Sequence, residues 1–105
     1  MARVVVVAPD LLFGSKVQGM LAQAGHDVDL VGAPPDDVAG IDVLVVDLMA
    51  IEPDLERGDA RLVGFYAHTE PDVKARADAA GFDVVVPRSR MNREGAALVG
   101  RVLGI

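Results

Sequence analysis

Hydrophobic residues in this chain come in short, dense runs, each closed by a proline, a glycine or a carboxylate. The run from Ile41 to Met49, IDVLVVDLM, is continuous across Val43, Leu44, Val45 and Val46 and then stops at Asp47. Such a run, without polar alternation, predicts a strand buried on both faces, as in a parallel sheet. A charge is costly inside such a strand, so Asp47 is expected at or just past its C-terminal end. Arg3 to Ala8, RVVVVA, predicts a first strand of the same kind, closed by Pro9-Asp10; its four successive valines are β-branched and suit a sheet covered on both sides. HDVDLVG, from His26, alternates apolar and polar positions and predicts a half-exposed edge strand. Arg61 to Ala67, RLVGFYA, and Phe82 to Val86, FDVVV, complete a set of five strands, and Pro87 closes the last.

Helical spacing fills some of the gaps. Leu11, Leu12, Val17, Met20, Leu21 and Ala24 recur on one stripe, with Asp10 placed as N-cap and Gly25 as C-cap. Gly14 and Gly19 each cost such a helix up to ~1 kcal/mol relative to alanine, and close packing is the one reason the pattern suggests for them. Pro34-Pro35-Asp36-Asp37 allows only a short turn of helix before Gly40, and MAIEPDLERGDAR, with Pro53 and Gly58, allows at most a turn or two. Thr69-Glu70-Pro71-Asp72 opens a further helix, with Thr69 as cap, proline in the first turn and acids at the positive end of the dipole. Val73, Ala77 and Ala80 form its stripe and Gly81 its stop. Ser89 or Asn92 is the expected cap of the last helix, whose stripe is Met91, Ala96, Leu98, Val99, Val102 and Leu103.

Strands alternating with helices predict an α/β domain with one doubly wound parallel sheet and right-handed crossovers. The expected strand order is the flavodoxin-like 2-1-3-4-5, with the second and third helices shortened. That order brings the ends of strands one and three together at the topological switch point, where Asp10 and Asp47 are expected to meet.

Composition narrows the function. The 105 residues form a single expected domain, 1–105, and 51% hydrophobic content is ample for a core. Net charge is −6 and the pI is about 4.6, so phosphate backbones repel the domain and nucleic-acid binding is disfavoured. The local exception is Arg88, Arg90, Arg93 and Arg101 against Glu94, read first as a solvated helix face and second as a binding patch. No apolar run approaches the ~20 residues of a membrane span. MARVVVVAPD reads as a strand and not as a signal peptide. With no cysteine there is no disulfide, thiolate ligand or cysteine nucleophile, which fits the cytoplasm. Ile105 follows closely on the last helical pattern, and a free-standing protein is expected.

Other chemistry is thin. His26 and His68 are far apart in sequence and without partners. Gly14-Ser15-Lys16 lacks the spacing of a phosphate-binding loop, and no G-x-G-x-x-G follows the first strand. A ligand or substrate in the switch-point crevice would meet Pro9, Asp10, Asp47, Tyr66 and His68, a set without a paired base and nucleophile.

RVVVVAPDLLFGSKVQGMLAQAGHDV, DVLVVDLM, FYAHTEPDVKARADAAGFDVVVPRS and the final helix together resemble the receiver (CheY-like) domain of response regulators, over nearly the whole chain. The resemblance implies a phosphorelay signalling domain, not an enzyme, whose partners are proteins: a histidine kinase, an output protein or a second copy. It puts Asp47 at the phosphoacceptor position. The two Mg²⁺-binding acids of receivers match Ala8 and Pro9, leaving Asp10 as the neighbouring acid and Asp10 with Asp47 as the candidate metal ligands. The hydroxyl residue of strand four matches Tyr66, the switching aromatic of strand five matches Val85, and the lysine-proline pair matches Arg88-Ser89. Arg88 is expected to pair bidentately with Asp47 in place of a metal, and Tyr66 to stand over the site. The partner-binding face would include Val73, Lys74, Ala77, Arg88, Arg90, Arg93 and Arg101. These departures suggest a degenerate receiver, a pseudo-receiver acting through protein contact with phosphorylation impaired or absent. A phosphorylatable regulator using Asp47 with Mg²⁺, and a ligand-binding or enzymatic domain of the same fold, are the alternatives.

Overall fold

The computed structural model describes residues 2–67 and 70–105. The chain runs β1 (Arg3–Val7), α1 (Leu11–Gln23), β2 (Asp27–Val31), β3 (Val43–Asp47), β4 (Arg61–Tyr66), α2 (Pro71–Ala79), β5 (Val84–Pro87) and α3 (Arg88–Leu103). The five strands make one parallel sheet in the order 2-1-3-4-5. This is the flavodoxin-like order that the run of buried strands and intervening helices predicts. All five residues of β3 are buried, Asp47 among them.

Strand alternation divides the core into two layers. Val4, Val6, Val43, Val45, Val63 and Phe65 face α1 and α3, where Val17, Leu21, Met91, Leu98 and Val99 meet them. Val5, Val7, Leu44, Val46 and Leu62 face the other way, toward Ala77 of α2. On this second side the shortened helices are reduced to turns: no helix forms in segments 32–42 and 48–60. Half-buried Val38, Ile51 and Leu55 cover the sheet there instead. Arg76 Nη2 meets Glu52 Oε2 at 2.7 Å and Arg57 Nη1 donates to the Gly81 carbonyl at 2.9 Å, tying the second of these loops to the α2 region. The edge strand needs no helix over its outer residues, because Asp27 and Asp29 are charged and exposed, and Arg3 pairs with Asp29 at 3.3 Å.

The glycines of α1 have different causes. A Cβ on Gly14 would lie 2.8 Å from Leu30 Cδ1 and 3.3 Å from Ala8 Cβ, so Gly14 permits close approach of α1 to the sheet. A Cβ on Gly19 would meet nothing within 4 Å, and nothing in the structure explains that residue.

Two boundaries differ from expectation. Phe82 precedes β5 and packs beneath α2 with Ala77, while the strand continues through Pro87, opposite Tyr66. The N-cap of α3 is Pro87, not Ser89 or Asn92. Proline's fixed φ suits the extended cap conformation (φ −62°, ψ 154°), and the helix therefore begins at Arg88. Thr69, the expected cap of α2, and His68 lie outside the described residues; Glu70 holds the N-cap position with no side-chain cap bond and Pro71 follows.

Candidate functional site

Four elements converge where the C-terminal ends of β1 and β3 lie side by side. Asp10 leaves β1 and caps α1: its Oδ1 accepts from the Phe13 amide at 3.3 Å. Asp47 ends β3, still paired in the ladder opposite Phe65. Its side chain is only 4% exposed, and Oδ1 accepts from the Met49 amide at 3.0 Å, which shapes the turn leaving the strand. Arg88, first residue of α3, reaches across both. Its Nη2 donates to Asp10 Oδ2 at 3.0 Å and stands 3.6 Å from Asp47 Oδ2. The switch point thus brings Asp10 and Asp47 onto one guanidinium nitrogen.

The bidentate Arg88–Asp47 pair is not what forms. One nitrogen serves both acids, and the nearer acid is Asp10. The cause is the path of the side chain: its guanidinium carbon lies 4.8 Å from the centre of the Phe13 ring. Phe13 in turn packs on Phe65 with ring centres 5.0 Å apart. Stacking on this ring is worth ~0.5–2 kcal/mol and presents the tip of the fork, not its side, to the carboxylates. Nε is left buried with no hydrogen-bond partner among the described residues. Phe13 is the member of the site that sequence reasoning missed. Its signal was available, three residues after the capping Asp10, on the turn of α1 nearest the switch point.

Electrostatics agree with this arrangement. The Phe13 amide is the main cause that holds the Asp10 carboxyl below the ordinary carboxylate range; lost hydration opposes it, and the Arg88 guanidinium adds to the lowering. A divalent cation such as Mg²⁺ asks for near-octahedral oxygen ligands at ~2.0–2.1 Å. The residues present do not fit one. Both Oδ2 atoms turn to Arg88, both Oδ1 atoms accept backbone amides, and no group of three metal-ligating side chains occurs among the described residues. A positive charge already occupies the place between the acids.

The remaining candidates lie elsewhere. Tyr66, at the end of β4, is 8% exposed and packs into the α2-side layer with Leu62 and Val85; Asp47 shares the face of Val43 and Val45, so Tyr66 does not stand over it. Val85 is buried in the same layer. On the expected partner-binding face, Lys74, Arg93 and Arg101 are exposed and Val73 and Arg90 half-buried. Ala77 of α2 is wholly buried and cannot belong to that surface, because the helix turns it to the sheet. Lys74 is held by Asp78 at 2.6 Å, and Arg90 and Arg93 share Glu94 at 3.3 and 3.7 Å. No helix among the described residues is long and apolar enough to cross a membrane.

No protein-family model matches the sequence and no curated protein matches it. Solved structures do. A response regulator receiver protein from Burkholderia phymatum superposes with a TM-score of 0.81 at 21% identity, covering 100% of this chain and 97% of that one. A response regulator from Thermotoga maritima gives 0.78 at 16%, covering 100% and 99%. A response regulator protein from Burkholderia pseudomallei with a phosphorylated aspartic acid and a calcium ion gives 0.66 at 14%, covering 97% and 72%. At these identities the likeness shows the fold, and the fold is that of response-regulator receiver domains.

Proposed function

We propose that this receiver-fold domain is a cytoplasmic two-component signalling module that works by protein contact and not as an enzyme, with phosphorylation impaired or absent. The observation that carries the reading is a single one: Arg88 Nη2 lies within 3.6 Å of both Asp10 Oδ2 and Asp47 Oδ2. Phosphoryl transfer to an aspartate depends on a positioned cation that neutralises charge developing on the phosphoryl oxygens. Here a tethered guanidinium neutralises the carboxylates themselves, and no group of metal ligands stands ready to hold a divalent ion among the described residues. Asp47, in the acceptor position, then acts as a buried anchor for the start of α3. Val85, in place of a switching aromatic, has no ring to exchange between two positions.

A fixed α3 makes a fixed surface. The partners this reading supports are a histidine kinase, an output protein or a second copy, meeting the exposed side chains of Lys74, Arg93 and Arg101 with half-buried Val73 and Arg90. The test is incubation with acetyl phosphate and Mg²⁺, followed by intact-protein mass spectrometry, with beryllofluoride titration by amide NMR alongside. The expected result is no phosphoryl adduct and no saturable shift at residues 10, 47, 66 and 88, in wild type as in Asp47→Asn. An adduct in wild type that Asp47→Asn abolishes would establish a phosphorylatable regulator instead.

A further inference from the structure

The loss of two crossover helices opens a cleft of about 460 Å³ on the α2 side of the sheet, between segments 34–36 and 50–56. Its apolar lining is Pro34, Pro35, Ala50, Ile51 and Leu55. Ile51 and Leu55 are half-buried, each turning part of its side chain into the core and part into the cleft. Four acids edge it: Asp36, Glu52, Asp54 and Glu56. Glu52 is engaged by Arg76, and Glu56 accepts from the Gly58 amide. Asp36 and Asp54 have no hydrogen bond or ion pair among the described residues.

The charge around the cleft is one-sided. Four of the side chains lining it are carboxylates and none is cationic; Arg76 reaches only Glu52, and the Nη1 of Arg57 is spent on the Gly81 carbonyl. Acids at such density repel one another, and an apolar floor between them repels water-loving anions further. What relieves both is a chain that brings cations to the edge and an apolar side chain to the floor.

We propose that this cleft docks a basic segment of a partner protein, which seats an apolar side chain on Ile51 and Leu55 between lysines or arginines that meet Asp36 and Asp54. The cleft uses none of the side chains of Asp10, Asp47 and Arg88, although its wall adjoins that site, the Ala50 and Ile51 amides donating to the Asp47 carbonyl at 3.2 and 2.9 Å. The loop that forms it is tied to the α2 region by Glu52–Arg76 and Arg57–Gly81, so the cleft is preformed and loses little entropy on binding.

The experiment is selection of a random dodecapeptide phage library on the full chain, counter-selected on the Asp36→Lys/Asp54→Lys variant. Enrichment of peptides with Lys or Arg on both sides of Leu, Ile, Met or Phe is expected. The synthetic consensus peptide should shift the amides of residues 36 and 50–56. Its affinity should fall about fivefold in Asp36→Asn/Asp54→Asn, two exposed charges contributing modestly each, and should weaken with salt. Leu55→Ala should also weaken it, and the two charge variants, which lose no packing, keep the test independent of any unfolding in Leu55→Ala. No enrichment, an acidic or wholly polar consensus, or shifts confined to other surfaces would overturn the proposal. So would a wild-type dimer in sedimentation that Asp36→Asn/Asp54→Asn dissociates, since the cleft would then belong to a second copy.

Discussion

Replacing Arg88 by methionine isolates the central contact. Methionine keeps an unbranched stem over Phe13 and removes the charge. Asp47, with a side chain 4% exposed, would then keep one hydrogen bond, from the Met49 amide, and no counter-charge. At 3.6 Å the Arg88–Asp47 attraction is about 4–5 kcal/mol with an effective dielectric of about 20. The Arg88 side chain is 39% exposed, so water screens much of this and the net is far smaller. Loss of the cation's attraction to the Phe13 ring adds ~0.5–1 kcal/mol. Against these, the variant no longer buries an unpartnered Nε–H, which returns ~1–3 kcal/mol. The balance is a net loss of ~1–2 kcal/mol, between the cost of an exposed pair and that of a broken buried one. With a urea m-value of about 1.5 kcal/mol/M the unfolding midpoint drops by about 1 M. The decisive quantity is the coupling. Arg88→Met in an Asp47→Asn background should cost ~1 kcal/mol less than in wild type, because no buried charge is stranded. A coupling below ~0.3 kcal/mol would mean that Arg88 acts through Asp10, Phe13 and α3, and that Asp47 does not depend on it.

Other substitutions test the surrounding frame. Gly19→Ala should stabilise by ~0.5–1 kcal/mol, since its Cβ meets nothing within 4 Å and alanine favours the helix. Gly14→Ala should destabilise by ~1–2 kcal/mol through crowding of Leu30 and Ala8; paired urea melts check both, and equal signs would refute the distinction. Asp10→Ala should lower the urea midpoint more than Asp10→Asn, because asparagine keeps an oxygen for the Phe13 amide while alanine loses the cap as well as the charge. Asp10 has its carboxyl pKa lowered on folding. Its ionised form therefore stabilises the fold above the unfolded carboxylate pKa, and that contribution fades as pH falls through the folded value. The gap between wild type and Asp10→Asn in urea melts should thus be full at neutral pH and close below about pH 4.

The sequence by itself determined the sheet. Unbroken valine-rich runs at β1 and β3 point to strands covered on both faces and the alternation of β2 marks an edge, so layering followed from pattern, while the order 2-1-3-4-5 followed from the flavodoxin-like arrangement expected of five alternating units in a chain of this size. The same reading placed Asp10 and Asp47 at one switch point, because a carboxylate that ends a buried strand has nowhere else to go. It also showed two crossovers too broken by proline and glycine for full helices. Tertiary structure decided what the site became. Whether Arg88 would meet Asp47, Asp10 or water depended on where α3 begins, which Pro87 fixes by ending one element and capping the next. It depended too on Phe13, whose ring steers the guanidinium and whose part in the site lies 75 residues from Arg88 in sequence. The face on which Tyr66 packs and the burial of Ala77 were likewise settled by strand parity and helix rotation, each of which reverses with a shift of one or two residues. Long-range contacts of this kind are set by the packing of whole elements, and local pattern carries little record of them.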